Sequence, residues 1–186
     1  MKRIVVCLTG ASGVIYGIRL LEFLSKENFE THLVISPWAE KNISIETNYT
    51  LEEISTLANR VHDYKDLSAP IASGSFPLYA TVIVPCSMKT LSSIAHGYTD
   101  NLINRAADIA LKERRKLVIV PRETPLNYIH LDNMLKLTVA GAAILPPMPS
   151  FYHMPKTIDD IINQTVGKVL DILDIPHDLF QRWGEK

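Results

Sequence analysis

The sequence has little that would suit an exported, metal-binding or nucleic-acid-binding protein. Its 186 residues contain two cysteines, Cys7 and Cys86, and both lie in or just after apolar segments. That placement is typical of reduced core residues rather than of a disulfide or a metal pair. The six histidines are scattered and form no H-E-x-x-H motif, so no metal site is expected. The formal net charge of −1 gives no field that would favour nucleic acid or an anionic membrane.

Long apolar runs are lacking as well. The longest, at residues 80–85 and 140–147, fall far short of the roughly 20 residues that a membrane span requires. The first apolar run is interrupted at Thr9-Gly10 after five residues, which is too early for a signal peptide. The sequence therefore predicts a cytoplasmic protein that has neither a membrane nor a nucleic acid as a partner.

What the sequence does contain is an alternation of short apolar runs with longer helical patterns. This alternation is typical of βαβ units and predicts a parallel sheet. No repeat, low-complexity tract or linker divides residues 1–186, so one domain is expected. Strands are predicted near 3–8, 31–36, 80–85, 117–121 and 142–146, and helices near 13–26, 38–47, 51–59, 87–97, 101–115, 128–140 and 157–173. Residues 60–79 are less regular and include a predicted loop around Gly74.

The first strand, Ile4–Leu8, runs directly into Thr9–Gly13 and then into a helix. The unpaired N–H groups and the positive dipole end of such a helix attract an anion, and small residues let a ligand approach the backbone. The segment has no Gly-Lys-Ser/Thr ending, and Ser12 stands where G-x-G-x-x-G has its second glycine. We therefore expect a phosphate that is held rather than transferred. A purely structural turn is the equally weighted alternative.

Three further predicted strands end in polar segments. The carboxyl ends of parallel strands share the edge at which open α/β folds bind ligands. Ser36 and Ser87 each precede a predicted helix, so each is a candidate ligand contact as well as a helix cap. Arg122 and Glu123 follow a buried strand, where a charged pair is costly to desolvate without partners. An ordinary ion pair within the loop is the alternative for these two residues.

Two other charged positions have an ordinary explanation. The run Lys112–Lys116 closes a predicted helix, where cations suit the helix dipole. Glu46 lies in the helical pattern at 38–47 and is expected to be exposed. The pattern alone gives neither position a role.

The segment Leu145–Pro155 contains four prolines and cannot be helical, because each proline lacks a donor and restrains the residue before it. It places Phe151 and Tyr152 on a rigid stretch that follows a strand. Aromatic side chains are therefore predicted near the ligand edge of the sheet. Packing of both rings in the core is the equally weighted alternative.

Taken together, these residues resemble the UbiX-type flavin prenyltransferases, a family that includes the small subunits of hydroxyaryl decarboxylase systems. The similarity runs through essentially the whole chain. The Gly10–Gly13 turn alone is a weak signal, whereas PCSMKT at 85–90, RETPL at 122–126 and the Pro-rich Phe-Tyr segment at 149–152 are highly specific in this order. The other matching stretches are Glu46, 73–75, 105–108, 111–115 and 182–183.

The resemblance implies a three-layer α/β/α fold, flavodoxin-like or Rossmann-like, that binds FMN. It implies metal-independent transfer of a dimethylallyl group from dimethylallyl phosphate to N5 and C6 of reduced FMN, with prenylated FMN as the product. A UbiD-type decarboxylase would then use that product, commonly in ubiquinone synthesis or aromatic acid decarboxylation. Members of the family form dodecamers with sites shared between subunits, so a homo-oligomer is expected.

Matching positions carry the site residues of the family onto this chain. The resemblance assigns FMN binding to Gly10, Ala11, Ser12, Ser36, Ser87, Met88, Lys89, Thr90 and Arg122. It assigns the dimethylallyl phosphate to Lys112, Tyr152 and Lys168, proton handling to Ser12, Glu46 and Glu123, and part of an aromatic wall to Trp183. Lysine at position 168 departs from the arginine that is common in the family. It keeps the charge but loses the bidentate fork, so we expect a weaker grip on the phosphate.

Two other functions suit a flavin-binding α/β chain. An FMN-dependent cysteine decarboxylase needs a base histidine on the first helix, and residues 13–26 contain none. An FMN carrier, or an accessory subunit of an aromatic acid decarboxylase, would have no use for Lys112, Glu123 and Lys168 in one pocket. The residues therefore favour the transferase.

Overall fold

The computed structural model describes residues 1–184, and within that range six strands form one sheet in the order β3-β2-β1-β4-β5-β6. The strands are β1 (Lys2–Leu8), β2 (Phe29–Ile35), β3 (Arg60–His62), β4 (Ala80–Cys86), β5 (Lys116–Pro121) and β6 (Ala143–Ile144). The helices are α1 (Val14–Leu24), α2 (Pro37–Glu46), α3 (Leu51–Thr56), α4 (Met88–Ala95), α5 (Leu102–Lys112), α6 (Tyr128–Ala140) and α7 (Ile158–Ile172). Every pair of neighbouring strands is parallel.

The sheet is covered on both faces. Ile4 and Val6 of β1 lie in a core that also contains side chains of α1, α2, α3 and α7. Val5 and Cys7 lie in the opposite core with side chains of α4, α5 and α6. Burial on both faces explains why the central strands are continuous apolar runs rather than alternating ones. The predicted three-layer α/β/α fold with a parallel sheet is confirmed.

The strand order creates a crevice between β1 and β4. From β1 the chain adds β2 and β3 on one side, and it then returns to place β4 on the other side of β1. At such a reversal the loops that follow the two central strands diverge, and ligands of open α/β folds bind between them. In this chain those connections are residues 9–13 and Ser87.

Close packing of α1 on the sheet fixes one wall of this crevice. Gly17 of α1 is buried, and a Cβ atom there would lie 2.5 Å from the Val84 carbonyl oxygen. The absence of a side chain lets the helix lie directly on β4. Arg19 joins α1 to α7 through its Nη2 atom, which lies 2.7 Å from a carboxylate oxygen of Asp159.

The structure differs from the sequence prediction mainly at short elements. Strand β3 and a single 3₁₀ turn at Pro70–Ala72 lie in the segment that was predicted to be irregular. Arg60 and Val61 are exposed at the edge of the sheet, so β3 has no apolar run by which to predict it. Strand β6 is shorter than predicted because Pro146 and Pro147 have no N–H to donate to the sheet.

The Pro-rich segment after β6 contains no helix up to the start of α7, as predicted. Within residues 1–184, no helix combines the length and the apolar character that crossing a membrane requires.

Candidate functional site

The loops after β1 and β4 are joined by Thr9, which is buried. Its backbone N–H and its hydroxyl both donate to the Pro85 carbonyl oxygen, at 3.2 and 2.8 Å. The same hydroxyl accepts from the Ser87 N–H at 2.8 Å. Thr9 therefore fixes the two sides of the crevice relative to each other. It is not among the predicted site residues, although a hydroxyl at the end of an apolar strand is a visible signal.

The crevice opens into a cavity of about 450 Å³, which we call the Ser36–Ser87 cavity. Its lining consists of Gly10, Ser36, Pro37, Trp38, Tyr64, Ser87, Lys89, Thr90, Ser93, Asn101 and Asn104. The Ser36 hydroxyl caps α2 by accepting from the Ala39 N–H at 3.2 Å, and the Ser87 hydroxyl caps α4 by accepting from the Thr90 N–H at 3.3 Å. Two helix N-termini, several hydroxyls and the exposed Lys89 thus meet here, which is a suitable lining for a phosphate group.

The far side of this cavity is formed by residues that the motifs did not indicate. Asn104 is buried, and its side-chain oxygen has no hydrogen-bond partner. Its side-chain nitrogen donates to Asp100, at 3.4 Å. Tyr64, on the same side, is partly buried, and burial together with the nearby charge of Asp100 raises the pKa of its hydroxyl. An unpaired buried acceptor that lines a cavity suits a ligand that carries a hydroxyl or N–H group.

A second cavity, also of about 450 Å³, lies on the other side of the Gly10–Gly13 turn, and we call it the Ser12–Arg122 cavity. Its lining consists of Ser12, Gly13, Ile15, Tyr16, Glu46, Arg122, Pro147, Ile158 and Ile162. The structure therefore brings together three of the predicted site residues, Ser12, Glu46 and Arg122, from three different elements. The isoleucines give the same cavity an apolar wall that would accept a branched hydrocarbon group.

Glu46 binds the first turn of α1. Its Oε2 atom accepts from the N–H groups of Gly13 and Val14, at 2.8 and 3.3 Å. A carboxylate therefore occupies the positive end of α1, where the sequence pattern predicted a phosphate. The cations and hydroxyls suited to a phosphate lie instead in the Ser36–Ser87 cavity.

Tyr16 also lines the Ser12–Arg122 cavity and is absent from the predicted site residues. Burial raises the pKa of its hydroxyl, and a hydrogen bond with Thr165 and the charge of Arg122 oppose that rise. The hydroxyl therefore keeps its proton at neutral pH. In the sequence, Tyr16 is one more side chain in the first helix and carries no signal of its own.

Three other predicted site residues, Ala11, Met88 and Glu123, are absent from the linings of the two cavities. Ala11 is buried, and its carbonyl oxygen accepts from the side-chain nitrogen of Asn42 at 3.0 Å. Met88 is partly buried at the start of α4. Glu123 is exposed, and its carboxylate accepts from the Thr124 N–H at 3.0 Å rather than pairing with Arg122. The alternative given above, an ion pair between Arg122 and Glu123 within the loop, is therefore not formed.

The predicted aromatic residues meet near the carboxyl terminus. Tyr152 lies edge-on to Trp183, with ring centroids 5.5 Å apart. Phe151, Tyr152 and Trp183 are all exposed, so the alternative of core packing for the Phe-Tyr pair is excluded.

Lys168 projects from α7 and belongs to a charged group around Asp171. The Asp171 carboxylate accepts from Lys168 at 3.2 Å and from Arg182 at 2.8 Å, and it lies 3.1 Å from the His177 ring nitrogen. Burial alone would raise the pKa of Asp171, but hydrogen bonds from Arg182, Lys168 and His177 outweigh it and hold the pKa at about 2. Lys168 is therefore held by an ionised partner.

Lys112 and Lys168 lie towards the amino edge of the sheet. Lys112 ends α5 immediately before β5 and pairs with the neighbouring Glu113. Helix α7 ends at Ile172, whose carbonyl oxygen accepts from Lys116 at the start of β5, at 3.0 Å, and Lys168 is about one turn before that end. Ser12 and Arg122 lie at the opposite, carboxyl edge. One copy of the chain therefore does not bring either lysine to the Ser12–Arg122 cavity.

The described part of the chain shows no site for a metal ion and no accessible thiol. Among residues 1–184 no group of three or more His, Cys, Asp or Glu side chains could hold a metal ion. Cys7 and Cys86 are buried and unpaired, and burial raises the pKa of both thiols.

Comparison with known proteins gives concordant matches. The family model for flavoproteins matches residues 1–180. A flavin prenyltransferase UbiX of Methanocaldococcus jannaschii is 57% identical over 182 residues, which are 98% of this chain and 98% of the relative. The crystal structure of AnUbiX (PadA1) in complex with FMN and dimethylallyl pyrophosphate is 51% identical, with a TM-score of 0.97 over 100% of this chain and 98% of that one. A dodecameric FMN-dependent UbiX-like decarboxylase from Escherichia coli O157:H7 is 48% identical, with a TM-score of 0.96 over 98% of this chain and 99% of that one.

Proposed function

Because the chain belongs to the flavoprotein family and, within it, to the UbiX-type flavin prenyltransferases, we propose that it transfers a dimethylallyl group from dimethylallyl phosphate to reduced FMN. The observation that carries this proposal is the pair of cavities on either side of the Gly10–Gly13 turn. One is lined by groups that suit a phosphate, and the other combines an apolar wall with Ser12, Glu46 and Arg122.

The Ser36–Ser87 cavity fits FMN. Ser36, Ser87 and Thr90 offer hydroxyls to the phosphate, and Lys89 offers a charge. The unpaired side-chain oxygen of Asn104 can accept from a ribityl hydroxyl. We assign Gly10, Ala11 and Met88 to contacts with the flavin between the two cavities. Reduced FMN, when bound, supplies N5 and C6 as the atoms that take the prenyl group.

The Ser12–Arg122 cavity would hold the reacting ends of both substrates. Ile15, Ile158 and Ile162 would give the dimethylallyl group an apolar wall. Arg122 would contact the flavin, and Ser12 and Glu46 would provide polar groups for proton handling. Glu123, a carboxylate that directly follows Arg122 in the chain, would take the proton that leaves C6.

The leaving phosphate needs cations as the allylic C–O bond breaks. Lys112, Lys168 and the Tyr152 hydroxyl are proposed to stabilise the negative charge that develops there, as preorganised donors do in other enzymes. The aromatic faces of Tyr152 and Trp183 would stabilise the allyl cation through their quadrupoles. Side-chain cations can replace a metal ion because a monophosphate carries less charge than a diphosphate.

Both lysines lie at the amino edge of their own chain, so we assign them to the site of a neighbouring copy. A dodecamer with sites shared between subunits meets this requirement, and the similar Escherichia coli O157:H7 protein is described as dodecameric. The product, prenylated FMN, would pass to a UbiD-type decarboxylase. We place the enzyme in the cytoplasm, where unpaired cysteines such as Cys7 and Cys86 persist.

The test is to incubate the protein with FMN, dithionite and dimethylallyl phosphate, and to record the mass of the flavin. A gain of one C5 unit is expected, and omission of dithionite should abolish it because only reduced flavin is the acceptor. Parallel reactions with the diphosphate define the donor. Glu123→Gln should slow formation of the product at unchanged FMN binding. A flavin that stays bound but keeps its mass would overturn the transferase in favour of an FMN carrier.

A further inference from the structure

Trp38 lies at the mouth of the Ser36–Ser87 cavity and has no role in the site described above. It lines the cavity and is 64% exposed. An indole is the largest apolar side chain, and leaving it in water forgoes the favourable burial of its surface. Because the indole lies at the rim of a ligand cavity, we expect a bound ligand or another group to cover it.

The base of the Trp38 side chain is held firmly. A Cβ atom at Gly10 would lie only 2.4 Å from the Cβ atom of Trp38, so the glycine is what allows this contact. Trp38 is also the second residue of α2, whose first turn is fixed by the Ser36 cap and by Pro37. The base of the Trp38 side chain therefore packs directly against Gly10 in the Gly10–Gly13 turn.

Lys41 adds a charge next to Trp38, although Lys41 itself is not part of the cavity lining. Its ammonium nitrogen lies 4.5 Å from the centroid of the Trp38 ring, which is within the range of a cation–π contact. Lys89 is the other cation here and lines the cavity itself, on the opposite side of the crevice in α4. Inside the same cavity, the buried Asn104 oxygen is without a partner, which independently indicates a ligand.

We propose that Trp38 and Lys41 form the outer wall of the flavin site, with the indole against the ribityl phosphate end of FMN. Lys41 then supplies a second cation to the phosphate beside Lys89. This assignment rests on the proposed function, because it takes FMN as the occupant of the Ser36–Ser87 cavity. It adds two binding residues that the motifs do not indicate.

The experiment is a titration of flavin-free protein with FMN and with riboflavin, followed by flavin fluorescence. Trp38→Ala should weaken FMN binding about tenfold, because the ribityl chain loses the apolar surface against which it is buried. Lys41→Ala should weaken FMN binding about threefold at low salt and leave riboflavin binding unchanged, since riboflavin has no phosphate. Trp38→Phe should retain most of the affinity because it keeps an aromatic face. Ile45→Ala is the matched control, since Ile45 is 79% exposed on the same helix and does not line the cavity.

Two results would overturn the proposal. One is a Trp38→Ala protein that binds FMN like the unmodified chain; if its oligomeric size also changes, the indole is covered by a second copy instead. The other is a Lys41→Ala protein in which FMN and riboflavin weaken equally, which would remove the contact with the phosphate. Neither readout involves prenyl transfer, so a chain that binds FMN through Trp38 but leaves its mass unchanged would refute only the proposed function.

Discussion

At the scale of single residues, Glu46 gives the clearest view of how the site is held. Its carboxylate accepts two backbone N–H groups at the first turn of α1, across 33 and 32 positions in the chain. Hydrogen bonds from backbone N–H groups to an ionised carboxylate are stronger than those between neutral groups. Glu46 therefore fixes the turn that carries Ser12, whatever part it takes in proton handling.

We expect Glu46→Ala to lower the free energy of unfolding by about 2 kcal/mol, because two N–H groups lose their acceptor and the helix dipole loses its anion. Glu46→Gln should cost about half as much, since an amide oxygen still accepts but carries no charge. Denaturant titrations of the two variants measure the difference. Glu40→Gln, in the first turn of α2, is the control for losing an acidic residue near a helix start. Equal stability of Glu46→Ala and the unmodified chain would contradict the role given to these bonds.

Asp171 is a second residue whose partners predict a measurable effect. The pKa of its carboxyl is about 2 in the folded chain, below the ordinary 3.8. A depressed carboxyl pKa contributes stability above the pKa of the unfolded chain and loses it as the pH falls from about 4 to about 2.

Asp171→Asn should therefore lower the free energy of unfolding by about 1 kcal/mol at pH 7. This value is smaller than the full pKa shift implies, because solvent reaches Asp171 and screens its charge. The difference from the unmodified chain should persist at pH 5 and shrink steadily below pH 4. Urea titrations at pH 7, 5, 4 and 3 would measure it. A difference of the same size at pH 3 and pH 7 would show that the ionised carboxylate is not its source.

At the scale of elements, the position of α1 depends on contact between backbones. We expect Gly17→Ala to lower the free energy of unfolding by about 2 kcal/mol, because the added Cβ would collide with the Val84 carbonyl oxygen in β4. The loss should appear despite the roughly 1 kcal/mol by which alanine favours a helix over glycine. Thermal unfolding measures it.

Gly167→Ala in α7 is the matched comparison. Its Cβ would meet the rings of Phe180 and His177, at 2.5 and 2.7 Å. The partly exposed Phe180 ring can shift, whereas a strand carbonyl cannot, so Gly167→Ala should be the milder change. A larger loss at Gly167 than at Gly17 would contradict this account of how α1 is positioned.

Elements could be predicted from the sequence where burial imposes a pattern. The buried residues of β1, β4 and β5 are almost all apolar because helices cover both faces, and Ser87 and Arg122 follow directly after β4 and β5. β3 is a short exposed edge strand and leaves no apolar run.

The rest of the site depends on contacts between distant segments. The far side of the Ser36–Ser87 cavity depends on a backbone bond from the Leu102 N–H to the Tyr64 carbonyl, which brings Asn104 to the cavity. The bond between Glu46 and Gly13 likewise depends on how α2 packs against α1. Neither arrangement is visible in residue spacing.

At the scale of the whole molecule, the two edges of the sheet carry complementary parts of the proposed site. Ser12 and Arg122 lie at the carboxyl edge, and Lys112 and Lys168 lie towards the amino edge. A site that uses both sets must include at least two copies of the chain. The assembly is then a requirement of the reaction and not only of stability.

Mixed assemblies test this requirement. Ser12→Ala and Lys112→Ala should each be nearly inactive alone, and oligomers refolded from an equal mixture should regain about a quarter of the activity, because random assembly leaves that share of two-chain sites intact. The measurement is prenylated FMN formed per subunit. A mixture of Ser12→Ala with Arg122→Ala is the control, since both positions line one cavity of one chain and should give little recovery. Equal recovery in the two mixtures would contradict sharing between copies.

The Gly10–Gly13 turn separates two compartments of opposite character, with Lys89 and several hydroxyls on one flank and the Glu46 carboxylate with three isoleucines on the other. The flank that holds Glu46 also holds Arg122, so its acid is offset by a cation, whereas among the described residues no acidic side chain lines the cavity around Lys89. A nucleotide that spans the turn therefore finds its uncompensated cation on one side, and we expect its phosphate to lie there. Its ring is then directed to the side that carries the three isoleucines.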